Sequence, residues 1–567
     1  MHAPVNFSGA VLDAYAEFAL LEKVANAVLS PLPKPELSHP LKPLKPLAPK
    51  PASEKMPVHE EKPFAHQLDA VNFALDRGGN AIFAHDTGTG KTRTSMMVAQ
   101  ALQKSRGAKS FVVVPAATRV QFAESVKQWT KDKPHVIDEG AKSIPHHGIP
   151  ILSYELFKKK APELAARGYS HAIFDEAHKA KDPEAGFYQS MKEHRPLFKS
   201  YNLMTASLTS TSPEDVVQLV DVMTGGKHEL GTPAEFRSKY IVTRGDRAGI
   251  FARRRMARNA STEATGFKNE SELGQVLRKY IHHVGEEDIK GTGVNKPKKV
   301  IETVEVPMSP DQTKLYQYAM NQLPKEVKYR LHSDELSNKD LSSLYNKMIQ
   351  TRGISGGLHT MAQGLSLSAS ARLTPKAQRV VHDLKQHMYE TPDGKAIIVT
   401  NLVRGGVDVL SEGLRQAGIE HGVFMGKGEQ SEKERQDALA AHKSGKIRAL
   451  IVSPAGFVGL DSPDTTMVQV YDSHFNPEQI LQAEARGIRA GGQKMRLPQD
   501  RRVIVKRYVS VFPEQGGLLG FFQKAIRYRS RPKHIDQKIW ERAQERHQVN
   551  KNLVDILKNR KPQEHEL

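Results

Sequence analysis

The stretch AIFAHDTGTGKTRTSMMVAQAL sets the tightest limit on how this chain can fold. Residues 81–84 form an apolar run of strand length, HDTGTG supplies a glycine-rich turn, and residues 95–102 carry a helical apolar pattern. A strand that passes through a glycine turn straight into a helix opens a βαβ unit, which argues for a parallel sheet and against a helical bundle or a sandwich. The alternation recurs. Short strands are predicted near 81–84, 111–114, 150–152, 172–174 and 201–204, and a second series near 396–400, 421–424, 449–453, 467–471 and 503–508. Two series on one plan predict an α/β protein of two tandem doubly wound parallel-sheet lobes. Residues 244–370, polar and irregular, are predicted as a helical and basic insert between them.

The glycine turn has its own chemistry. Gly88 and Gly90 free the backbone to curl its N–H groups around phosphate oxygens at a helix N-terminus, so Thr87, Gly88, Thr89 and Gly90 form a candidate phosphate cradle. Lys91 is placed to reach the β- and γ-phosphates, and Thr92 to offer a hydroxyl to magnesium. His85 stands where the usual pattern begins with glycine. About eighty residues on, IFDEAH follows a short buried strand that delivers Asp175 and Glu176 to the C-terminal edge of the sheet, where ligands of such folds bind. Asp175 is the candidate metal carboxylate, and Glu176 the group that orients and deprotonates an attacking water. The two motifs together point to ATP with Mg2+.

With 567 residues the chain exceeds what one hydrophobic core supports, so several domains are expected. The 83 Lys and Arg against 63 Asp and Glu leave a net charge of +20, which favours a polyanionic partner, nucleic acid first. The absence of cysteine excludes disulfides, thiolate catalysis and cysteine zinc sites, and permits a reducing cytoplasm. No apolar stretch approaches the roughly 20 residues that span a bilayer, and the N-terminus lacks a basic region followed by an apolar core. The expectation is a protein without membrane contact, not secreted, in the cytoplasm or at the nucleic acid. Residues 8–29 read as an amphipathic helix, with Val11, Tyr15, Phe18, Leu21, Val24 and Val28 on one face. The proline-rich, lysine-punctuated segment LPKPELSHPLKPLKPLAPKP then separates it from the first lobe as an extended spacer. Residues 1–30 are thus a candidate docking element for a protein partner. The expected divisions are 1–30, a linker 31–61, the ATP-binding lobe 62–243, the insert 244–370, a second lobe 371–525 and a basic terminal helix 526–567.

Across about 480 residues the motif order resembles that of superfamily 2 helicases, and specifically the Swi/Snf-type double-stranded DNA translocases with a DEAH box. FAHQLDAVNFAL, with Phe64 and Gln67, is similar to the family's adenine-reading segment. FVVVPAATRVQFAESVKQW, SYELF, FDEAHKAKDP, MTASLTS and VPMSPDQTKLY follow in order, and KAIIVTN, FMGKGEQSEKERQDAL, SPAGFVGLD and FNPEQILQAEARGIRAGGQ continue through the second half. The resemblance implies two RecA-like lobes with a nucleotide cleft between them and a monomeric motor. It implies that Gln482, Arg486 and Arg489 complete the site from the second lobe, because planar guanidiniums stabilise the charge gathering on the γ-phosphate. It places Gly459 and Asp461 in the motif that couples ATP state to DNA contact. Thr118, Thr205, Ser207, Thr400 and Ser453 become candidates for phosphates of one DNA strand, and Arg253, Arg254 and Arg255, with Arg258 and the cluster at Arg527, Arg529, Arg531 and Lys533, for added backbone contacts.

The terminal helical pattern resembles the helix that closes the second lobe. Ala206 and Leu208 depart from the family pattern by replacing a glycine and a proline, which bears on coupling between lobes more than on hydrolysis. The compact motor, without an accessory histone-reading module, resembles viral and phage members. Alternatives to duplex tracking are a strand-separating DNA or RNA helicase and, from another class, a non-catalytic DNA-binding or structural protein with a relic nucleotide pocket.

Overall fold

A computed structural model describes residues 62–209, 212–244, 264–289, 297–321, 373–426, 430–453, 501–513 and 535–560, and parts of 460–500. The expected N-terminal helix and proline-rich linker lie outside these residues.

The first sheet has seven strands, all parallel: β1 Ala81–His85, β2 Lys109–Val114, β3 Pro134–Val136, β4 Ile149–Ser153, β5 Tyr169–Phe174, β6 Ser200–Thr205 and β9 Ile281–Val284, in the order β3-β4-β2-β5-β6-β1-β9. Every residue of β1 and β6 is buried, as expected of strands covered on both faces. Phe111, Phe157, Phe174, Tyr201 and Leu203 fill one face, and Ala74, Phe83, Met96, Val112 and Ile173 the other. Full burial of one such aromatic or branched side chain contributes about 1.5–3 kcal/mol.

Helices stop where their sequences say they should. α1 Ala65–Asp76 precedes β1, and α2 Lys91–Arg106 begins after Gly90 and ends at Gly107, whose left-handed backbone (φ +64°) lets its N–H satisfy a last-turn carbonyl. α3 Arg119–Trp129 lies between β2 and β3, and α4 Tyr154–Ala166 starts at Ser153, whose hydroxyl accepts from the Leu156 N–H. α5 Gly186–His194, α6 Asp215–Thr224 and α7 Pro233–Tyr240 follow, then the antiparallel pair β7 Ile241–Thr243 and β8 Ala264–Phe267, and α8 Glu270–Leu277.

The second sheet has six parallel strands: β10 Lys298–Pro307, β11 Lys395–Val399, β12 His421–Phe424, β13 Ala449–Val452, β14 Thr465–Val470 and β15 Arg502–Val511, in the order β10-β15-β14-β11-β13-β12. α9 Pro310–Asn321, α10 Pro375–Glu390, α11 Val409–Gln416 and α12 Glu432–Ser444 accompany it, and two apolar clusters, around Ile398, Ile451 and Tyr471 and around Ile397, Leu450 and Val468, lie on its two faces. The architecture is thus two α/β lobes with doubly covered parallel sheets.

Two expectations need correction. The segment 244–370 is not purely a helical insert, because its described residues supply β9 to the edge of the first sheet and β10 to the edge of the second. Edge position is the reason: β10 is largely exposed along its length and lacks the continuous apolar run of a central strand. The last helix, α13 Ile535–Leu557, does not merely close the second lobe. Val549, Leu553, Ile556 and Leu557 enter the core of the first lobe, against a surface that includes Leu273 and Leu277 of α8, and the Arg278 guanidinium donates to the carbonyls of Ile556 and Leu557. Among the described residues no helix is long and apolar enough to cross a membrane.

Candidate nucleotide site

Because the first sheet is wholly parallel, the C-terminal ends of β1, β5 and β6 share one edge, and these three strands are neighbours. β1 delivers the glycine turn there. Gly88 and Gly90 have φ of +86° and +89°, the left-handed region that side chains rarely enter. A Cβ on Gly90 would also collide with the Gln67 side-chain amide, so the turn and α1 are fitted to one another.

Gln67 is buried, and its Oε1 accepts from the Phe64 N–H at 3.1 Å. The His66 ring stacks on Phe64 with centroids 5.7 Å apart, while its Nε2 donates to the Thr89 carbonyl at 2.9 Å. Thr89 donates its hydroxyl to the Asp86 carbonyl at 2.8 Å, which closes the turn on itself. Lys91 Nζ lies back over the same turn, donating to the carbonyls of His85 at 2.6 Å and Asp86 at 3.2 Å. Lys91 and Thr92 occupy the first turn of α2, where backbone N–H groups have no intrahelical partner and the helix dipole favours an anion.

β5 delivers Asp175 and Glu176. The Asp175 N–H donates to Val113 O of β2 at 2.9 Å, and its carbonyl accepts from the Tyr154 hydroxyl at 2.6 Å. Burial, and then the charges of Asp175 and Glu176, push the Tyr154 phenol well up, so it remains a neutral donor. Glu176 takes a left-handed backbone (φ +54°), a conformation costing of order 1–3 kcal/mol that is concentrated at functional sites. Its Oε2 lies 3.4 Å from His178 Nδ1, which in turn lies 3.3 Å from Thr205 Oγ1 at the end of β6. Burial holds the His178 pKa below the usual histidine value despite the Glu176 carboxylate, so a neutral imidazole links the two motifs.

Support from β9 was not legible in the sequence. His85 Nε2 and His282 Nδ1 share a hydrogen bond of 3.0 Å, the Glu286 N–H donates to Asp86 Oδ2 at 2.9 Å, and the Asp86 N–H donates to Val284 O at 2.8 Å. Burial lowers His85 well below its ordinary range and His282 to about 4, so one neutral ring donates and the other accepts. The only signal was His85 standing in an unusual place; IHHV reads as too polar for a strand.

The hydroxyls singled out for phosphate contact divide. Thr205 donates to the Ser207 carbonyl at 2.6 Å, Ser207 to the Thr209 carbonyl at 2.5 Å, and Thr400 to Asp472 Oδ2 at 2.6 Å, so these buried hydroxyls shape their own loops. Thr118 donates to the Pro115 carbonyl at 2.9 Å just before α3. The buried Ser453 hydroxyl has no hydrogen-bond partner among the described residues.

Gly459, Asp461, Gln482, Arg486, Arg489, the arginines 253–255 and 258, and the cluster 527–533 lie outside the described residues. Within the arginine-bearing string, Glu484 is fully buried and Gln493 ties its end to both neighbouring strands, its Nε2 donating to the carbonyls of Thr465 and Arg502 at 2.8 Å.

Two family models match the chain: the SNF2-related domain over residues 66–356, and the helicase conserved C-terminal domain over 379–491. Among curated proteins it is similar to CHROMATIN REMODELING 5 of Arabidopsis thaliana, at 22% identity over 76% of this chain and 25% of that protein. It is also similar to the uncharacterized ATP-dependent helicase YqhH of Bacillus subtilis, at 23% identity over 76% and 74%, and to the DNA repair and recombination protein RAD54B of Mus musculus, at 23% over 76% and 53%. The chain therefore spans between a quarter and three quarters of the length of these relatives. On the match that covers half its residues, the chain belongs to the SNF2-related family of superfamily 2 helicases and ATPases.

Proposed function

We propose that the protein is a nucleic-acid-dependent ATPase that hydrolyses ATP while tracking along double-stranded DNA with little regard to sequence. The observation that carries this reading is the convergence of the glycine turn, Asp175 and Glu176, and the Thr205 loop on one sheet edge, in a chain of this family. On this reading Phe64 and Gln67 read adenine, the turn from Thr87 to Gly90 cradles phosphates, and Lys91 swings from its carbonyls to the γ-phosphate. Thr92 and Asp175 offer the hard oxygen donors that Mg2+ prefers, and the ion when bound neutralises phosphate charge. Glu176 takes the proton of the attacking water, Arg486 and Arg489 stabilise the transition state from the second lobe with the help of Gln482, and Gly459 and Asp461 relay the state of the site. Hydrolysis then requires the cleft to close and product release lets it open.

Duplex DNA as the track is supported by the net charge of +20 and by relatives named for chromatin remodelling and DNA repair. The test is ATP turnover without nucleic acid and with single-stranded DNA, duplex DNA and RNA. Preferential stimulation by duplex is expected; ATP-driven unwinding of a fork would favour a strand-separating helicase instead. Lys91→Ala and Glu176→Gln are expected to abolish turnover, the latter while still binding nucleotide, and wild-type rates in either would overturn the assigned roles.

A further inference from the structure

α13 touches both halves of the machinery. At one end Arg507 of β15 lies under Trp540, its guanidinium carbon 4.4 Å from the ring centroid. The same guanidinium binds Glu484 through Nε at 2.8 Å and Nη2 at 2.7 Å, both to Oε1, while Lys299 of β10 reaches Oε2 at 2.5 Å. Glu484 is fully buried and lies two positions before Arg486 in the string QAEARGIR. Such double pairing of a buried carboxylate fixes Glu484 against β10 and β15, because leaving either charge unpaired there is costly.

Further along the helix, Asn550 Nδ2 donates to the Thr209 carbonyl at 3.2 Å. That carbonyl also accepts from the Ser207 hydroxyl, Ser207 O accepts from Thr205 Oγ1, and Thr205 Oγ1 meets His178, whose same nitrogen faces Glu176. Each link is a direct contact of 2.5–3.4 Å. The loop containing Thr209 is the one in which Ala206 and Leu208 depart from the family pattern.

We propose that α13 is a positioning element which sets the segment bearing Arg486 in register with the loop that orients Glu176, through Trp540 and Arg507 at one end and Asn550 at the other. Asn550, Arg507 and Trp540 are positioning residues, acting through Glu176 and Arg486 rather than on ATP. A shift of about 1 Å in a reacting group can cost up to a hundredfold in rate, whereas ATP affinity, set by the first lobe's own turn, should not change. The proposal rests on the assignment of Glu176 and Arg486 given above.

The test measures kcat and KM for ATP at saturating duplex in the full chain, for Asn550→Ala, Trp540→Ala, the milder Trp540→Phe and Arg507→Lys, and the double variant Asn550→Ala/Trp540→Ala. Gln548→Ala, whose side-chain hydrogen bond among the described residues is to Asn552 on the same helix, is the control. Each single alanine variant is expected to lower kcat about tenfold with KM for ATP within about twofold. Trp540→Phe should recover most of the loss. Because both ends act through one helix, the double variant should be no slower than the worse single one. Unchanged kcat in the singles, or losses that multiply in the double, would overturn the proposal. An Arg486→Ala protein with normal turnover would overturn it too, by removing its premise, and that result is separate from failure of the helix variants beside an inactive Arg486→Ala.

Discussion

Gly90 meets two demands at once: its backbone sits at φ +89°, and its missing side chain leaves room for the Gln67 amide. Gly90→Ala should therefore destabilise the lobe by about 1–3 kcal/mol in urea unfolding and weaken ATP binding in a fluorescent-nucleotide titration. Gln67→Ala/Gly90→Ala should recover part of the packing loss but not the binding. His171 and His442 are fully buried, and burial holds both near a pKa of about 3 against an ordinary 6.5. The native state thus refuses a proton that the unfolded chain accepts below pH 6.5. Stability is whole above that value and falls by about 1.4 kcal/mol per pH unit per histidine on acidification toward the native pKa. Urea midpoints at pH 7.5 and 5.5 should differ accordingly, and His442→Asn should flatten the slope. The strand-end placing of Lys91, Thr92, Asp175 and Glu176 was legible because they stand in contiguous motifs directly after apolar runs. His282 and Glu286 were not, since what they do depends on a strand pairing about 200 residues away in sequence from His85 and Asp86.

At the scale of elements, the strands read from continuous apolar runs are all present, the central ones among them being covered on both faces. The five that went unread among the described residues, β3, β7, β8, β9 and β10, are all sheet edges, β7 and β8 being the two strands of a sheet of their own. An edge strand is paired on one side only and tolerates polar residues, so its run is broken and its signal fades. The partner of α13 was illegible for a related reason: an apolar stripe reports that it is buried, not against what. Leu553 is fully buried in the first lobe. Leu553→Ala should cost about 2–5 kcal/mol in urea unfolding, and protection from hydrogen exchange should fall at α8 and β9 rather than only in the second lobe. Loss confined to the second sheet would contradict the packing described.

For the whole molecule, two separate sheets with helices on both faces follow from two series of strands, and the +20 charge follows from composition alone. A duplex-stimulated ATPase held to DNA by phosphate contacts should lose affinity linearly in log salt, each neutralised phosphate adding about −0.9 to the slope. Binding titrations between low and moderate salt with two unrelated duplexes should give matching slopes, and a sequence-dependent slope would argue for base contacts. The placing of α13 also bears on how the chain is made. A ribosome emits the first lobe early, yet Val549, Leu553, Ile556 and Leu557, which seal its core, emerge only after the entire second lobe. Until then the nascent first lobe carries an open apolar seam, so the interval between its emergence and the arrival of its distant lid is when chaperones matter most to this protein.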